Sequence, residues 1–200
     1  MQLIPVSDDP DDYLAKSRVI DFDDISIRQT AQRLFAGAGS EAGIIKACYE
    51  FVRDEISHTF DIGASEVTCS ASEVLKYGHG TCYARSHLLA AILRYLGIPA
   101  GFCYQRLRDE DTPSGYALHG LNAVYFSSLK KWIRLDARRN KPYVNVRFEP
   151  GTDILAYMID ESEGESEDAR IFAVPAESVI TALIMSTDAK MLSGSLPDAC

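Results

Sequence analysis

The chain has 200 residues, 46% hydrophobic and 24% charged, with 29 acidic against 20 basic side chains for a net charge of −9. This is ordinary globular composition, which excludes disorder and coiled coil for most of the chain. The acidic balance argues against a nucleic-acid binder, because phosphate contacts need clustered Lys and Arg.

The opening MQLIPVSDDPDDYL has no basic start and no apolar core, so it does not read as a secretory signal. No run approaches the roughly 20 apolar residues of a membrane span. The expected compartment is the cytoplasm, where thiols stay reduced. No internal repeat is visible, and one domain over residues 1–200 is expected. Five cysteines, Cys48, Cys69, Cys82, Cys103 and Cys200, form no CxxC pair. They make a poor disulfide framework and a poor zinc site.

Residues 13–22 read as an early strand. Ile27, Ala31, Leu34 and Phe35 recur at helical spacing, which predicts a helix over 25–35 ended by Gly37 and Gly39. Ser40 reads as the N-cap of a second helix with Ile44, Ala47, Cys48, Phe51 and Val52 on one face. Cys48 is then a core residue. Residues 57–69 read as a loop. Ser70 and Glu73 match a capping box, and the short helix they open stops at Gly78. After His79-Gly80-Thr81-Cys82, the stretch YARSHLLAAILRYLG predicts a long, central helix stopped by Gly97 and Pro99.

The pattern then turns extended. Segments 100–107, 116–126, 131–138 and 143–148 read as strands, with turns at Ser127-Ser128 and Asn140-Lys141-Pro142. Segment 160–168 reads as an exposed acidic loop, 175–186 as a last helix with Pro175 near its first turn, and the tail through Cys200 as frayed. Helices followed by an antiparallel sheet make an α+β chain.

Cys82 stands out by position. Gly78 and Gly80 precede it and a long helix starts at it. Free amides and the positive dipole end of a helix favour thiolate over thiol and can hold an oxyanion. A nucleophilic cysteine needs a base, and the base an orienting group. If strands 116–126 and 131–138 form a hairpin turning at Ser127-Ser128, His119 and Asp136 stand opposite each other on one face. A slip of one residue would separate them. The order Cys82, His119, Asp136 suits nucleophile, general base and orienter.

Ala71-Ser72-Glu73-Val74-Leu75, Gly78-His79-Gly80-Thr81-Cys82, Leu93-Arg94-Tyr95-Leu96-Gly97-Ile98-Pro99-Ala100, His119 and Trp132-Ile133-Arg134-Leu135-Asp136 together resemble the transglutaminase-like core, over about residues 40–140. The resemblance implies a papain-like architecture: N-terminal helices, and a buried nucleophile-bearing helix packed on an antiparallel β-sheet. Residues from about 145 to 200 would be an extension. It also implies Cys82 as nucleophile, His119 as general base and acid, and Asp136 as orienter. The sequence departs from the family pattern twice. His119-Gly120-Leu121-Asn122 stands where His-Ala-Trp and an acid are common, and Asp136-Ala137-Arg138 stands where Asp-Pro-Thr is common.

His58, His79, Thr81, Tyr83 and Gly120 are further candidates for binding substrate or an oxyanion. His87 reads as structural, and Trp132 as packed in the sheet core or over the His–Asp pair. Gln105, Arg106, Arg138 and Arg139 read as solvated surface, with a carboxylate-attracting cleft as the alternative. His79 and Cys82 have no second pair at zinc spacing, and no calcium loop is evident, so no metal or cofactor is expected. The expected activity is thiol-dependent hydrolysis or acyl transfer through a thioester, on a protein or peptide presenting an amide or glutamine-like group. The alternatives are a catalytically silent binding module on the same scaffold, and a redox sensor at Cys82. Oligomeric state is left open.

Overall fold

Polar caps and glycine stops cut the first half of the chain into helices. The computed structural model describes residues 1–142 and 144–200. A short strand β1 (Ile4–Pro5) and a 3-10 turn at Pro10–Tyr13 come first. Helix α1 (Ile25–Phe35) starts where the Asp24 carboxylate accepts from the Ser26 amide at 2.8 Å. Helix α2 (Glu41–Glu55) starts where the Ser40 hydroxyl accepts from the Gly43 amide. After β2 (Ser57–His58), α3 (Ala71–Tyr77) is opened by the Ser70–Glu73 capping box and closed by Gly78 at φ 70°. Glycine takes that left-handed conformation at little cost. β3 (His79–Gly80) pairs in parallel with β2 and delivers the chain to α4 (Cys82–Tyr95).

Strands β4 (Ala100–Arg108), β5 (Tyr116–Phe126) and β6 (Lys131–Leu135) follow, and β7 (Ser166–Glu167) completes an antiparallel sheet of order β6-β5-β4-β7. β8 (Arg170–Ile171) pairs with β1. Helices α5 (Glu177–Met185) and α6 (Ala189–Ser193) come last. This is the expected α+β architecture.

α4 is the axis of the core. Every residue from Tyr83 to Arg94 is buried, and the helix touches α1, α2, α3, β4 and β5. A helix apolar on all sides belongs inside, where truncating Leu88 or Leu89 to Ala would cost about 2–5 kcal/mol. Three of its four buried polar side chains, Arg85, His87 and Arg94, bond backbone outside the helix, and the fourth, Ser86, donates to the Cys82 carbonyl. Arg85 donates to the Val52 carbonyl at 2.8 Å, at the end of α2. His87 Nδ1 lies 2.7 Å from the Cys69 carbonyl. Arg94 donates to the carbonyls of Ala15, Ala100 and Ala173. Buried carbonyls outside any ladder need such partners.

Several expectations change. Residues 13–22 form no strand. Val19 and Ile20 plug the core from an irregular segment, whose backbone is held piecemeal by Ser17, Ala71 and Arg94. The buried face of α2 is Ile45, Cys48, Tyr49 and Val52, so Ile44 and Phe51 sit at its margin. Tyr143 lies outside the described residues. The rest of the expected 143–148 strand makes one isolated bridge, Lys141 with Val144, because Val146 bonds the Asn140 side chain and Arg53 rather than another strand. The acidic 160–168 segment ends as β7, paired to β4. The tail is not frayed. Asp188 caps α6, and the Leu118 amide donates to the Pro197 carbonyl at 2.7 Å.

Candidate active site

Cys82 is the first residue of α4 and is partly buried. The N-cap residue, Thr81, makes no side-chain cap bond, and its buried hydroxyl has no partner among the described residues. Among the described residues, no side chain therefore covers the first amides of α4 next to the sulfur. Facing it is β5. The Gly120 amide points at Cys82 Sγ, with N···S 3.5 Å.

The β5–β6 register pairs Asn122 with Leu135 and Phe126 with Lys131. The loop is therefore the four residues 127–130, with Lys130 at φ 48°, and the register lies two residues from the one expected. A two-residue shift keeps every side chain on its face. His119 and Asp136 accordingly still meet, with Nε2···Oδ2 2.9 Å, although Asp136 sits just past the end of β6.

The pair is buried, His119 at 7% exposure and Asp136 at 1%. Asp136 is held on both oxygens, taking the amides of Arg138 at 3.1 Å and Ala156 at 2.9 Å. Burial alone would raise the carboxyl, but His119 and these two amides outweigh it and hold Asp136 below the usual carboxylate range. Burial alone would lower the imidazole. The Asp136 charge and hydrogen bond, followed by Cys82, outweigh it and raise His119 well above the ordinary histidine value. With Nε2 committed to Asp136, the other ring nitrogen remains for the sulfur.

A cleft of about 220 Å³ opens over these groups. His58, Thr81, Cys82, Tyr83 and His119 line it. Gly120 does not line it, and its amide faces the Cys82 sulfur. His79 does not line the cleft. It is the first residue of β3 and is buried, with Nδ1 3.2 Å from the Thr59 hydroxyl. His58 has a buried Nδ1 without a partner among the described residues. Burial, then the cations of Arg138 and Arg85, lowers it to about 3, so it stays neutral at ordinary pH.

Leu107 to Asp109 and Ala117 and Leu118 line the cleft from the strand ends, and three residues reach it from loops without a sequence signal. Tyr157 stands edge-on to His119, ring centroids 4.9 Å apart. Phe60 and Leu196 line it as well. Arg138, expected at the solvated surface, lines the cleft as a bidentate partner of Asp61, with Lys141 on the same carboxylate. These hydrogen bonds outweigh burial and keep Asp61 far below the carboxylate range. Gln105 is buried in β4 rather than solvated. Trp132 packs with Tyr13 and Tyr125, centroids 4.8 and 5.5 Å away, and not over the His–Asp pair.

The other four cysteines do not line the cleft. Burial pushes Cys48 and Cys103 up to about 12. Burial, reinforced by Glu73, does the same to Cys69. Burial also raises Cys200. All four are protonated and weakly reactive at neutral pH. Among the described residues, no group of three or more His, Cys, Asp or Glu could hold a metal ion, and no helix is long and apolar enough to cross a membrane.

No curated protein matches the chain. A solved structure of a candidate cysteine protease from Cytophaga hutchinsonii is similar at 21% identity and TM-score 0.54, over 69% of this chain and 46% of that one. A transglutaminase structure matches at 20% identity and TM-score 0.47, over 75% of this chain and 44% of that one. The chain thus spans under half the length of either relative, and at 21% identity the likeness to the protease structure concerns fold. The family model of the transglutaminase-like superfamily matches residues 28–137. That stretch is more than half of the sequence and holds the helix-borne cysteine and both strands that face it, so the chain belongs to the transglutaminase-like superfamily.

Proposed function

We propose that this protein is a thiol-dependent hydrolase or acyltransferase acting on an amide, with Cys82 as nucleophile, His119 as general acid and base, and Asp136 as the orienting carboxylate. The 2.9 Å His119–Asp136 contact, on the strand whose next amide points at the Cys82 sulfur, carries this reading. Membership of the superfamily supports it.

The chemistry runs on the chain's own groups. Cys82 sulfur bonds to the amide carbon while the carbonyl π pair moves onto oxygen. The first amides of α4 and neutral His58 face the site of that oxyanion. The oxygen pair returns, the C–N bond breaks, and the leaving nitrogen takes its proton from His119. A thioester remains. Water or a second amine then attacks it and gives its proton to His119, and the sulfur leaves as thiolate beside the imidazolium. Asp136 keeps its proton state throughout and fixes the ring.

The test is labelling at neutral pH with a small chloroacetamide or iodoacetamide, mapped by peptide mass. Cys82 should label faster than Cys48, Cys69 and Cys103, and His119→Ala should slow it. Equal labelling of all four cysteines would overturn the reading.

A further inference from the structure

The C-terminal segment around Leu196 and Pro197 meets β5 beside the cleft, along the stretch where β6 no longer pairs with it. β6 pairs with β5 only as far back as Asn122. Beyond that point β5 offers an open edge on the side of Cys82. Three groups use that edge. The Gly120 amide faces Cys82 Sγ, the Leu118 carbonyl accepts from the Tyr83 hydroxyl at 2.5 Å, and the Leu118 amide donates to the Pro197 carbonyl at 2.7 Å.

The segment is held at both ends. Before it, Asp188 caps α6, the Ala189 amide donates to the Ser65 carbonyl, and Ser195 folds back on Leu192. After it, the Ala199 carbonyl accepts from the Ser178 hydroxyl at 2.8 Å. Between these anchors Leu196 lines the cleft together with Cys82, His119 and Phe60. It brings an apolar side chain and a main-chain carbonyl to the open edge, as a strand-adding peptide does.

We propose that this segment is an internal occupant of a peptide site: the open edge of β5 at Leu118 recognises the main chain of an extended peptide with an apolar residue, and Leu196–Pro197 holds the place until substrate displaces it. The proposal rests on the thiol-enzyme reading and narrows its substrate class. Amides on one edge of a strand repeat every two residues, roughly 7 Å apart. A peptide carbonyl on the Leu118 amide therefore places the carbonyl two residues along its own chain against Gly120 and Cys82. That carbonyl belongs to a peptide bond, so the geometry favours main-chain amides over the side-chain amide of glutamine.

The experiment keeps the full chain and uses iodoacetamide on Cys82 as readout. Leu196→Gly removes the apolar contact and loosens the segment. If the segment covers the cleft about nine-tenths of the time, labelling should rise roughly tenfold. A synthetic peptide of residues 193–199, Ser-Gly-Ser-Leu-Pro-Asp-Ala, should restore protection in the variant, and the same peptide with Gly for Leu should not. A second measurement is independent of any substitution. Amide exchange at Leu118 in the unmodified chain should speed up on opening and slow when an uncleaved apolar peptide is added. Unchanged labelling in Leu196→Gly, with no protection by the peptide, would overturn the proposal. His119→Ala separates the two claims. Labelling that depends on His119 but ignores Leu196 sinks only the occupant, whereas labelling indifferent to His119 sinks the thiol-enzyme reading itself.

Discussion

The ring of Tyr83 fills the space that a side chain at position 120 would need. A Cβ on Gly120 would stand 2.9 Å from Tyr83 Cδ1. The contact ties the residue after the nucleophile to the residue after the base, and it explains glycine where the family pattern commonly has alanine. Gly120→Ala should push the ring or β5 aside and cost about 1–3 kcal/mol. Thermal denaturation should show a lowered midpoint, and the double variant with Tyr83→Leu should recover part of it. A midpoint equal to that of the parent would show that the seam has slack.

Asp136→Asn tests the orienting carboxylate. Asparagine keeps an acceptor for the Ala156 or Arg138 amide and removes the charge that raises His119. Turnover of an activated amide should fall about 10²- to 10⁴-fold. The pH–rate profile should move as well. Its basic limb, set by loss of the proton from His119, should shift to lower pH in the variant. A fall in rate with an unmoved profile would mean a purely structural role.

Much of this site was legible because its parts sit on periodic elements. The Ser70–Glu73 box and Gly78 fixed the approach to Cys82, and strand alternation put His119 and Asp136 on one face even with the loop length misjudged by two residues. What stayed hidden came from irregular chain. Tyr157, Phe60 and Leu196 reach the cleft from loops, where no period reports which way a side chain points. Val19, Ile20 and Val146 are apolar plugs whose backbones are satisfied by Ser17, Asn140 and the arginines. A pattern reader takes such plugs for strands.

His58 should matter for turnover and not for alkylation. Alkylation by a haloacetamide forms no oxyanion, whereas amide turnover does. His58→Leu should lower turnover of an amide substrate about 10- to 10³-fold while leaving Cys82 labelling within a factor of two or so. Parallel loss of both would mean that His58 only shapes the cleft.

Acid should weaken the fold through its buried neutral histidines. Burial takes His87 from 6.5 to about 4 and His58 to about 3. Their folded values are depressed, so the unfolded chain binds more protons between about pH 6.5 and 4, and stability falls on acidification. Each histidine contributes a slope of about 1.4 kcal/mol per pH unit in that window. His119 has the opposite sign. Its folded value is raised, so its contribution is complete below 6.5 and is lost as the pH climbs through that raised value. Urea titrations from pH 4 to 9 should show greatest stability near 6.5. His87→Gln, which can still bond the Cys69 carbonyl, should remove about half of the acidic slope. An unchanged slope would place the responsible protons elsewhere.

Arg94 has a consequence for how the chain reaches this structure. Its guanidinium donates to Ala15, which lies 79 residues earlier, and to Ala173, which lies 79 residues later. One buried cation is therefore satisfied only after both flanks of the sequence have returned to the middle. Until then it is a charge that resists being dried, and α4 cannot be sealed. Closing two loops of that length is slow compared with forming any one helix. Completion of the core is thus a late, long-range event, in which the first and last thirds of the chain arrive at the same residue.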